Sequence, residues 1–195
     1  MAKAVAPRGF ARERVLEAAL SLFAEHGVKG TSLQMIADRL GVSKAAVYYQ
    51  FHSKDEIALA VIQPVFDDMV RLVRIAEAMS TPEARREAAV SGMVEMAVRH
   101  RRVTAVFHGD PVIDALVHDR AELQDTIERL TLILLGPEPD AAGRICMSVL
   151  ASGVYGSATD PALNDITDEE LHRVLLDCAQ RLLPAVAPAA PVASG

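Results

Sequence analysis

Apolar residues along most of the chain recur at three- and four-residue spacing, which is the period of amphipathic α-helices. This spacing predicts a first helix over residues 15–23, and Gly27 supplies its stop. Thr31 and Gln34 have the spacing of a capping box that would begin a second helix. Gly41 would end this second helix after barely two turns, because glycine readily adopts the left-handed conformation found at helix C-termini.

Capping residues followed by apolar periodic segments predict seven further helices. Their predicted starts are, in chain order, Ser43, Ser53, Thr81, Asp110, Asp119, Asp140 and Thr167. Thr81 and Asp110 each precede a proline, which is favoured at the first position of a helix. No segment has the two-residue alternation that is typical of a strand. We therefore predict an all-α protein of about nine helices.

Residues 36–51, "IADRLGVSKAAVYYQF", have the pattern of a helix-turn-helix motif. Ala37 is small enough to permit a close, steep crossing of the two helices. Gly41 allows the tight turn between them, and Val47 anchors the helix that follows. Residues 44–51 therefore occupy the position of a recognition helix, which reads the major groove of DNA in such motifs.

Five residues of this helix remain on outward or flanking faces once Val47 and Phe51 face inward. They are Lys44, Ala45, Ala46, Tyr48 and Gln50. The alanines permit close approach to DNA, a tyrosine hydroxyl can bond a phosphate, and glutamine can pair with an adenine edge. Lys54 would add a positive charge for a phosphate, near backbone amides that already favour anions.

The stretch over residues 12–61 resembles the DNA-binding domain of the TetR family of bacterial transcriptional regulators. The resemblance rests on "ALSLFAEHG", "TSLQMIADRLGVS" and "VYYQFHSKDE", and it covers roughly the first third of the chain. It implies that phosphate or base contacts fall on Thr31, Ser32, Gln34, Lys44, Ala45, Ala46, Tyr48, Tyr49, Gln50 and Lys54. Ala46 stands where the family usually has Thr or Ser, and Gln50 where His is common, so the preferred operator is expected to differ.

Three of these residues have structural alternatives. Tyr49 could pack between helices, Lys54 could be a solvated charge near a helix cap, and Gln34 could serve only its capping box.

Small residues recur along the predicted helix over residues 141–159, and such a ridge permits close approach of another helix. The resemblance implies that this helix and the last one pair with their copies in a four-helix dimer interface. The residues concerned are Ala142, Cys146, Val149, Gly153, Gly156, Leu171, Val174, Cys178 and Leu182. Packing within one subunit is the alternative. The two cysteines are interpreted as small hydrophobic residues, with a thiol sensor as the alternative.

A ligand-binding region is predicted between the helices that cover about residues 62–135. Methionine adapts its shape to irregular apolar ligands, and histidine could supply a polar anchor. The candidate residues are Met69, Met93, Met96, His100, Phe107 and His108. An ordinary hydrophobic core is the alternative for the apolar members of this set.

Composition and charge fit a cytoplasmic protein with a mildly basic N-terminal region. The 195-residue chain is 51% hydrophobic but only 4% aromatic, which suits packed helices. The net charge is −6, yet residues 1–60 carry eight basic and six acidic residues. No segment is apolar enough to span a bilayer, and residues 1–10 lack the apolar region of a signal peptide. Two cysteines are too few for a disulfide framework.

Nothing in the sequence predicts an enzyme, a metal site or a cofactor. Six histidines are scattered without metal-ligand spacing, and none lies in a nucleophile motif. Asp110, within "HGD", is better explained as a helix cap before Pro111.

We therefore expect four segments: a disordered arm (1–9), a helix-turn-helix DNA-binding domain (10–57), a ligand-binding and dimerisation domain (58–184) and a disordered tail (185–195). The predicted function is that of a ligand-responsive regulator, acting as a repressor. It would bind a palindromic double-stranded DNA operator as a homodimer and be released by a small apolar molecule. A DNA-binding architectural protein without a ligand is the alternative.

Overall fold

A computed structural model of the chain describes residues 8–107, 110–118 and 120–182, with residues 8–10 described by their backbone alone. The described residues form ten α-helices and one short 3₁₀-helix, Pro161–Leu163, and they contain no β-strand. The α-helices are α1 (Arg8–Gly30), α2 (Leu33–Leu40), α3 (Lys44–Gln50), α4 (Lys54–Glu77), α5 (Pro82–Arg99), α6 (Arg101–Phe107), α7 (Pro111–His118), α8 (Ala121–Leu135), α9 (Ala141–Thr159) and α10 (Asp168–Leu182). The predicted all-α fold is confirmed.

The structure has one α-helix more than the nine predicted. The additional helix is α6, which a break at His100 separates from α5 and for which the sequence pattern predicts no start. His100 is the C-terminal cap of α5, with φ −103° and ψ 16°, and its N–H still donates to the carbonyl of Met96 at 3.0 Å. Its ring Nε2 lies 2.9 Å from Oδ2 of Asp68 on α4. No glycine or proline marks this break, which coincides with a side-chain contact to another helix.

Most of the predicted caps form. Ser43 Oγ accepts a hydrogen bond from the Ala46 N–H at 3.2 Å, and Asp140 Oδ1 accepts one from Gly143 at 2.7 Å. These caps satisfy amide groups that a helix N-terminus leaves without intrahelical partners. The N-termini of α3 and α9 are therefore set by local sequence.

The capping box predicted for α2 is wrong. Ser32, one residue later than Thr31, caps this helix and accepts from the Met35 N–H at 3.2 Å. Gln34 donates its side-chain amide to Asp38 Oδ1 at 2.7 Å instead of reaching back to a cap.

Thr31 is buried, with 3% of its surface exposed, and its hydroxyl closes the end of α1. Gly27 interrupts α1 with φ 69° and ψ 165°, which frees carbonyl groups around the kink. The Thr31 hydroxyl lies 2.9 Å from the carbonyl oxygen of Gly27 and 3.2 Å from that of Leu22. A buried hydroxyl needs such acceptors, because an unpaired one costs about 1–3 kcal/mol.

The described chain divides into two compact units. Unit 1 comprises residues 8–66 and 102–121, and unit 2 comprises residues 67–101 and 122–182. Unit 1 thus contains α6, α7 and the first half of α4, which the sequence-based division assigns to the second domain. Helix α1 begins at Arg8, so the last two residues of the expected arm are helical. Residues 1–7 and 183–195, which hold the rest of the arm, the end of the expected second domain and the whole of the expected tail, lie outside the described residues.

The core of unit 1 is formed by apolar residues from α1, α2, α3, α4, α6 and α7. Phe23 of α1 and Phe107 of α6 are both buried, and their ring centroids lie 5.8 Å apart in a tilted arrangement. Ile113 of α7 belongs to the same cluster. Burial of each such side chain stabilises the fold by about 1.5–3 kcal/mol, so α6 and α7 are integral to unit 1.

Unit 2 is a bundle in which α5 packs on α9 and α10. The second half of α4 approaches α5 closely at Gly92, where an added Cβ would lie 2.1 Å from Leu72 Cδ1. None of the helices in the described part of the chain is long and apolar enough to cross a membrane.

Candidate nucleic-acid interface

Two backbone hydrogen bonds hold the turn between α2 and α3. Gly41 adopts the left-handed conformation, φ 66° and ψ 33°, as the sequence pattern predicts. The N–H of Gly41 donates to the Asp38 carbonyl at 3.1 Å, and the N–H of Val42 donates to the Ala37 carbonyl at 3.0 Å. The left-handed residue satisfies carbonyls at the end of α2 and turns the chain within a few residues into the Ser43 cap of α3.

Helix α3 has one buried side and a wide exposed side. Val47 and Phe51 are fully buried, whereas Tyr48 and Tyr49 are 52% and 75% exposed. Such exposure is unusual for tyrosine, and it excludes the packing alternative for Tyr49. The structure leaves Lys44, Ala45 and Ala46 exposed and Gln50 half-buried. An outward surface of ammonium, methyl, phenol and amide groups can therefore approach a DNA groove.

Two aromatic contacts lie at the C-terminal end of α3. The Arg12 guanidinium of α1 lies 4.2 Å from the centroid of the buried Phe51 ring, a cation–π arrangement. Tyr48 and His52 meet edge to face, with ring centroids 5.2 Å apart. Because Phe51 is the C-terminal cap of α3, the Arg12 cation also lies near the negative end of that helix.

The residues at the start of α2 differ in their availability. Ser32 and Gln34 are exposed, so their side chains are accessible to DNA. The Thr31 side chain is buried and its hydroxyl is already bonded to carbonyl groups of α1. Arg39 is bound to Glu25 of α1 at 2.8 Å, and this guanidinium holds the pKa of the Glu25 carboxyl below its usual value.

Lys54 does not extend into solvent. Its ammonium donates to the carbonyls of Val28 and Lys29 at 3.0 and 2.9 Å, which ties the first turn of α4 to the end of α1. The neighbouring cap is also complete, because Ser53 Oγ accepts from the Glu56 N–H at 3.0 Å. The alternative that Lys54 is merely a solvated charge is therefore excluded, while a phosphate contact stays a prediction.

A surface cleft of about 270 Å³ opens beside the recognition helix. It lies between α1, the turn that follows α2, and the flank of α3. Its lining residues are Ala11, Arg14, Val15, Leu40, Val42, Ala46, Val47, Tyr49 and Gln50, of which Arg14 alone is charged. Sequence reasoning missed Arg14, because this residue lies in α1, well before the helix-turn-helix pattern that begins at Ile36.

Most of the residues predicted for the dimer interface are exposed on α9 and α10. The exposed members are Ala142, Val149, Gly153, Gly156, Val174, Cys178 and Leu182. Cys146 is half-buried, and Leu171 is 4% exposed, which places it in the core of unit 2. Ile145 is 63% exposed on the same stripe of α9, one helical turn before Val149, and sequence reasoning missed it.

The residues predicted for ligand binding do not form one group. Met93 and Met96 are buried in unit 2, where Met69 and His100 are half-buried. Phe107 instead belongs to the core of unit 1, and His108 lies outside the described residues. Within the described residues no cluster of histidine, cysteine and carboxylate side chains is arranged to hold a metal ion.

His100 and Asp68 form a half-buried hydrogen-bonded pair in unit 2, near the residues predicted for ligand binding. The hydrogen bond from His100, followed by that from Arg99, holds the pKa of the Asp68 carboxyl below its usual value against the opposing effect of burial. Asp68 therefore stays ionised at neutral pH. Its contribution to stability is present above the unfolded-state pKa and is lost as the pH falls through the lowered value.

Residues 15–61 match the sequence pattern of the family described as "Bacterial regulatory proteins, tetR family". The match begins in α1, spans the whole of α2 and α3, and ends in the first half of α4. The helix-turn-helix region of the chain therefore matches the TetR family.

Curated relatives are similar over the same N-terminal region. The transcriptional activator FasR of Mycolicibacterium smegmatis is 40% identical over 80 residues, which is 41% of this chain and 36% of FasR. The transcriptional repressor KstR2 of the same organism is 27% identical over 100 residues, 51% of this chain and 48% of KstR2. The chain thus spans about a third to a half of these TetR-like relatives.

Solved structures share the fold over nearly the whole chain. The ketosteroid transcriptional regulator KstR2 of Mycobacterium tuberculosis is 18% identical, with a TM-score of 0.71 over 93% of this chain and 96% of that one. A SmeT–triclosan complex is 21% identical, with a TM-score of 0.62 over 92% and 99%. These likenesses extend the TetR-like fold beyond the helix-turn-helix helices.

Replacement of Lys54 by Met should lower the free energy of unfolding by roughly 1.5 kcal/mol, because two carbonyls at the end of α1 lose a charged donor. Chemical denaturation followed by circular dichroism measures this loss. Lys29→Met is the matched control, since the Lys29 side chain is exposed. Equal stability of the two variants would refute the structural role of Lys54.

Proposed function

We propose that this chain is a ligand-responsive TetR-family regulator that binds a palindromic DNA operator as a homodimer and acts as a repressor. The observation that carries the proposal is the exposed surface of α3. Two tyrosines and a lysine of this helix face solvent, while Val47 and Phe51 on its opposite side are buried. The repressor name of the KstR2 relative supports this direction of regulation, although FasR is named an activator.

The short recognition helix requires a second copy. Helix α3 has seven residues, so one subunit can read only a few base pairs. Two-fold symmetry would double the site and place two half-sites about one turn of DNA, roughly 34 Å, apart. A palindromic operator follows from this symmetry.

The exposed stripe on α9 and α10 supports dimerisation. Ile145, Val149, Val174 and Leu182 are large apolar residues that a monomer would leave in water. Contiguous exposed apolar surface of this kind is typical of protein–protein interfaces. A Cβ added at Gly153 would meet no side chain of its own subunit within 4 Å, which supports a role for this glycine in close approach of a second copy.

The effector is proposed to be a small apolar molecule bound within unit 2. The methionines of α4 and α5 support this proposal, because their flexible side chains can fit around an irregular ligand. His100 and Asp68 would supply a polar anchor at its edge. A solved structure of similar fold is a SmeT–triclosan complex, which supports a small-molecule effector.

Release of DNA would follow from a shift between two dimer states. Helix α4 starts beside the recognition helix and continues into unit 2, so it is the proposed lever. An effector that favours a dimer with a changed separation of its recognition helices lowers DNA affinity. A coupling free energy of about 1–3 kcal/mol gives a 5- to 150-fold loss of affinity.

Base-specific binding is tested by selecting bound sequences from random duplex DNA. We expect a pseudo-palindrome, and Gln50→Ala should relax the preference at one position in each half-site. Lys44→Ala is the matched control, because loss of a phosphate contact should weaken all sequences alike. Equal affinity of the wild-type protein for selected and random duplexes would exclude a sequence-specific regulator.

Gly153→Leu should give mainly monomers whose operator binding is greatly weakened. The added side chain would push α9 away from its copy, and overpacking costs about 1–3 kcal/mol even in a tolerant core. Analytical ultracentrifugation measures the oligomeric state. Ala162→Leu, in the 3₁₀-helix outside the stripe, is the control and should remain dimeric. A dimeric Gly153→Leu protein would show that the interface lies elsewhere.

A screen of steroids and triclosan-like compounds should yield a molecule that releases operator DNA. By reciprocity, operator DNA must weaken binding of that molecule by the same factor, which calorimetry with free and DNA-bound protein measures. Met93→Ala should weaken effector binding, whereas Phe107→Leu, in the core of unit 1, should not. A compound that binds free and DNA-bound protein equally would eliminate this mechanism and favour ligand-independent DNA binding.

A further inference from the structure

The cleft beside α3 joins the recognition surface to the first turns of α1. Ala46, Tyr49 and Gln50 form its wall on α3, and Ala11 and Arg14 form its wall on α1. The three α3 residues are among those assigned to DNA contact. DNA docked on α3 therefore passes the mouth of the cleft, on the side where Arg14 lies.

Arg14 differs from Arg39 and Arg102 of unit 1, because it has no acidic partner among the described residues. Arg39 is held by Glu25 at 2.8 Å, and Arg102 is held by Glu17 at 2.7 Å. Arg14 is exposed, and no carboxylate lines the cleft. Its guanidinium is therefore available to an external anion. Glu17, the acid one helical turn further along α1, is already bound to Arg102.

We propose that Arg14 binds a phosphate of the operator backbone, so that the DNA contact extends from α3 across the cleft to α1. This inference rests on the proposed DNA-binding function. The apolar part of the lining, which includes Val15 and Val42, suits the C–H surface of deoxyribose, while the guanidinium suits the adjoining phosphate. The sugar–phosphate backbone thus matches both the charge and the apolar surface of the cleft.

A phosphate contact has a thermodynamic signature that a base contact lacks. Each neutralised phosphate adds about 0.9 to the slope of the logarithm of affinity against the logarithm of salt concentration. A variant that lacks one such contact should therefore lose less affinity than the wild type as salt is raised. Its disadvantage relative to the wild type should shrink by about 3.5-fold between 50 and 200 mM salt.

Fluorescence anisotropy with the duplex selected by the wild-type protein, and with a scrambled duplex, provides the measurement. Arg14→Gln should weaken binding to both duplexes by the same factor and show the shallower salt slope. Arg14→Lys should keep most of the slope, because it keeps the charge. Arg74→Ala removes an exposed positive charge from unit 2 and should leave the slope unchanged.

The outcomes separate this inference from the proposed function. If the wild-type protein selects no duplex, the proposed function fails. If it binds its selected duplex and Arg14→Gln matches it in affinity and slope, only the Arg14 inference fails. Weakening confined to the selected duplex, with an unchanged slope, would also overturn the phosphate assignment. Arg14→Gln and Arg14→Lys should both unfold at the same temperature as the wild type, which would exclude a folding defect. If Arg14→Gln is destabilised, the salt slope of Arg14→Lys tests the inference, and a slope reduced by a full phosphate contact despite the retained charge would overturn it.

Discussion

The orientation of α3 depends on the burial of two side chains, Val47 and Phe51. A helix of seven residues is not stable alone in water, because nucleation is costly and few hydrogen bonds follow it. Burial against α1 and α2 stabilises this helix and also fixes its rotation about its own axis. That rotation determines that Tyr48 and Tyr49 point outward. The recognition surface is therefore a consequence of packing on its opposite side.

Polar side chains complete the same framework at the end of α1. The kink at Gly27 leaves carbonyl groups that the Thr31 hydroxyl and the Lys54 ammonium satisfy. Both residues belong to the set that the family resemblance assigns to DNA. Residues assigned to DNA contact can thus also stabilise the fold of the helix-turn-helix region. Substitution of Thr31 or Lys54 would therefore alter the stability of this region as well as its DNA contacts.

Local features of the fold could be predicted from the sequence, whereas features set by distant contacts could not. The caps at Ser43 and Asp140 and the left-handed Gly41 depend on neighbouring residues, and all three are found as expected. Ser32 and not Thr31 caps α2, and the Thr31 hydroxyl is instead buried and bonded to the Gly27 and Leu22 carbonyls around the kink of α1, which capping patterns do not reveal. The break at His100 accompanies a contact with Asp68, more than thirty residues earlier. For the site, helical periodicity identified the outward face of α3, but the cleft with Arg14 arises only from tertiary packing.

The membership of α6 and α7 in unit 1 has a consequence for how this protein is made. Phe107 and Ile113 complete a core whose other members lie in the first 66 residues of the chain. During synthesis the helix-turn-helix segment emerges early, but Phe107, whose ring packs on Phe23, emerges only after α5 has been made. The DNA-binding unit is thus discontinuous in sequence, and a nascent or truncated chain that ends within α4 would present an incomplete core to solvent and to chaperones.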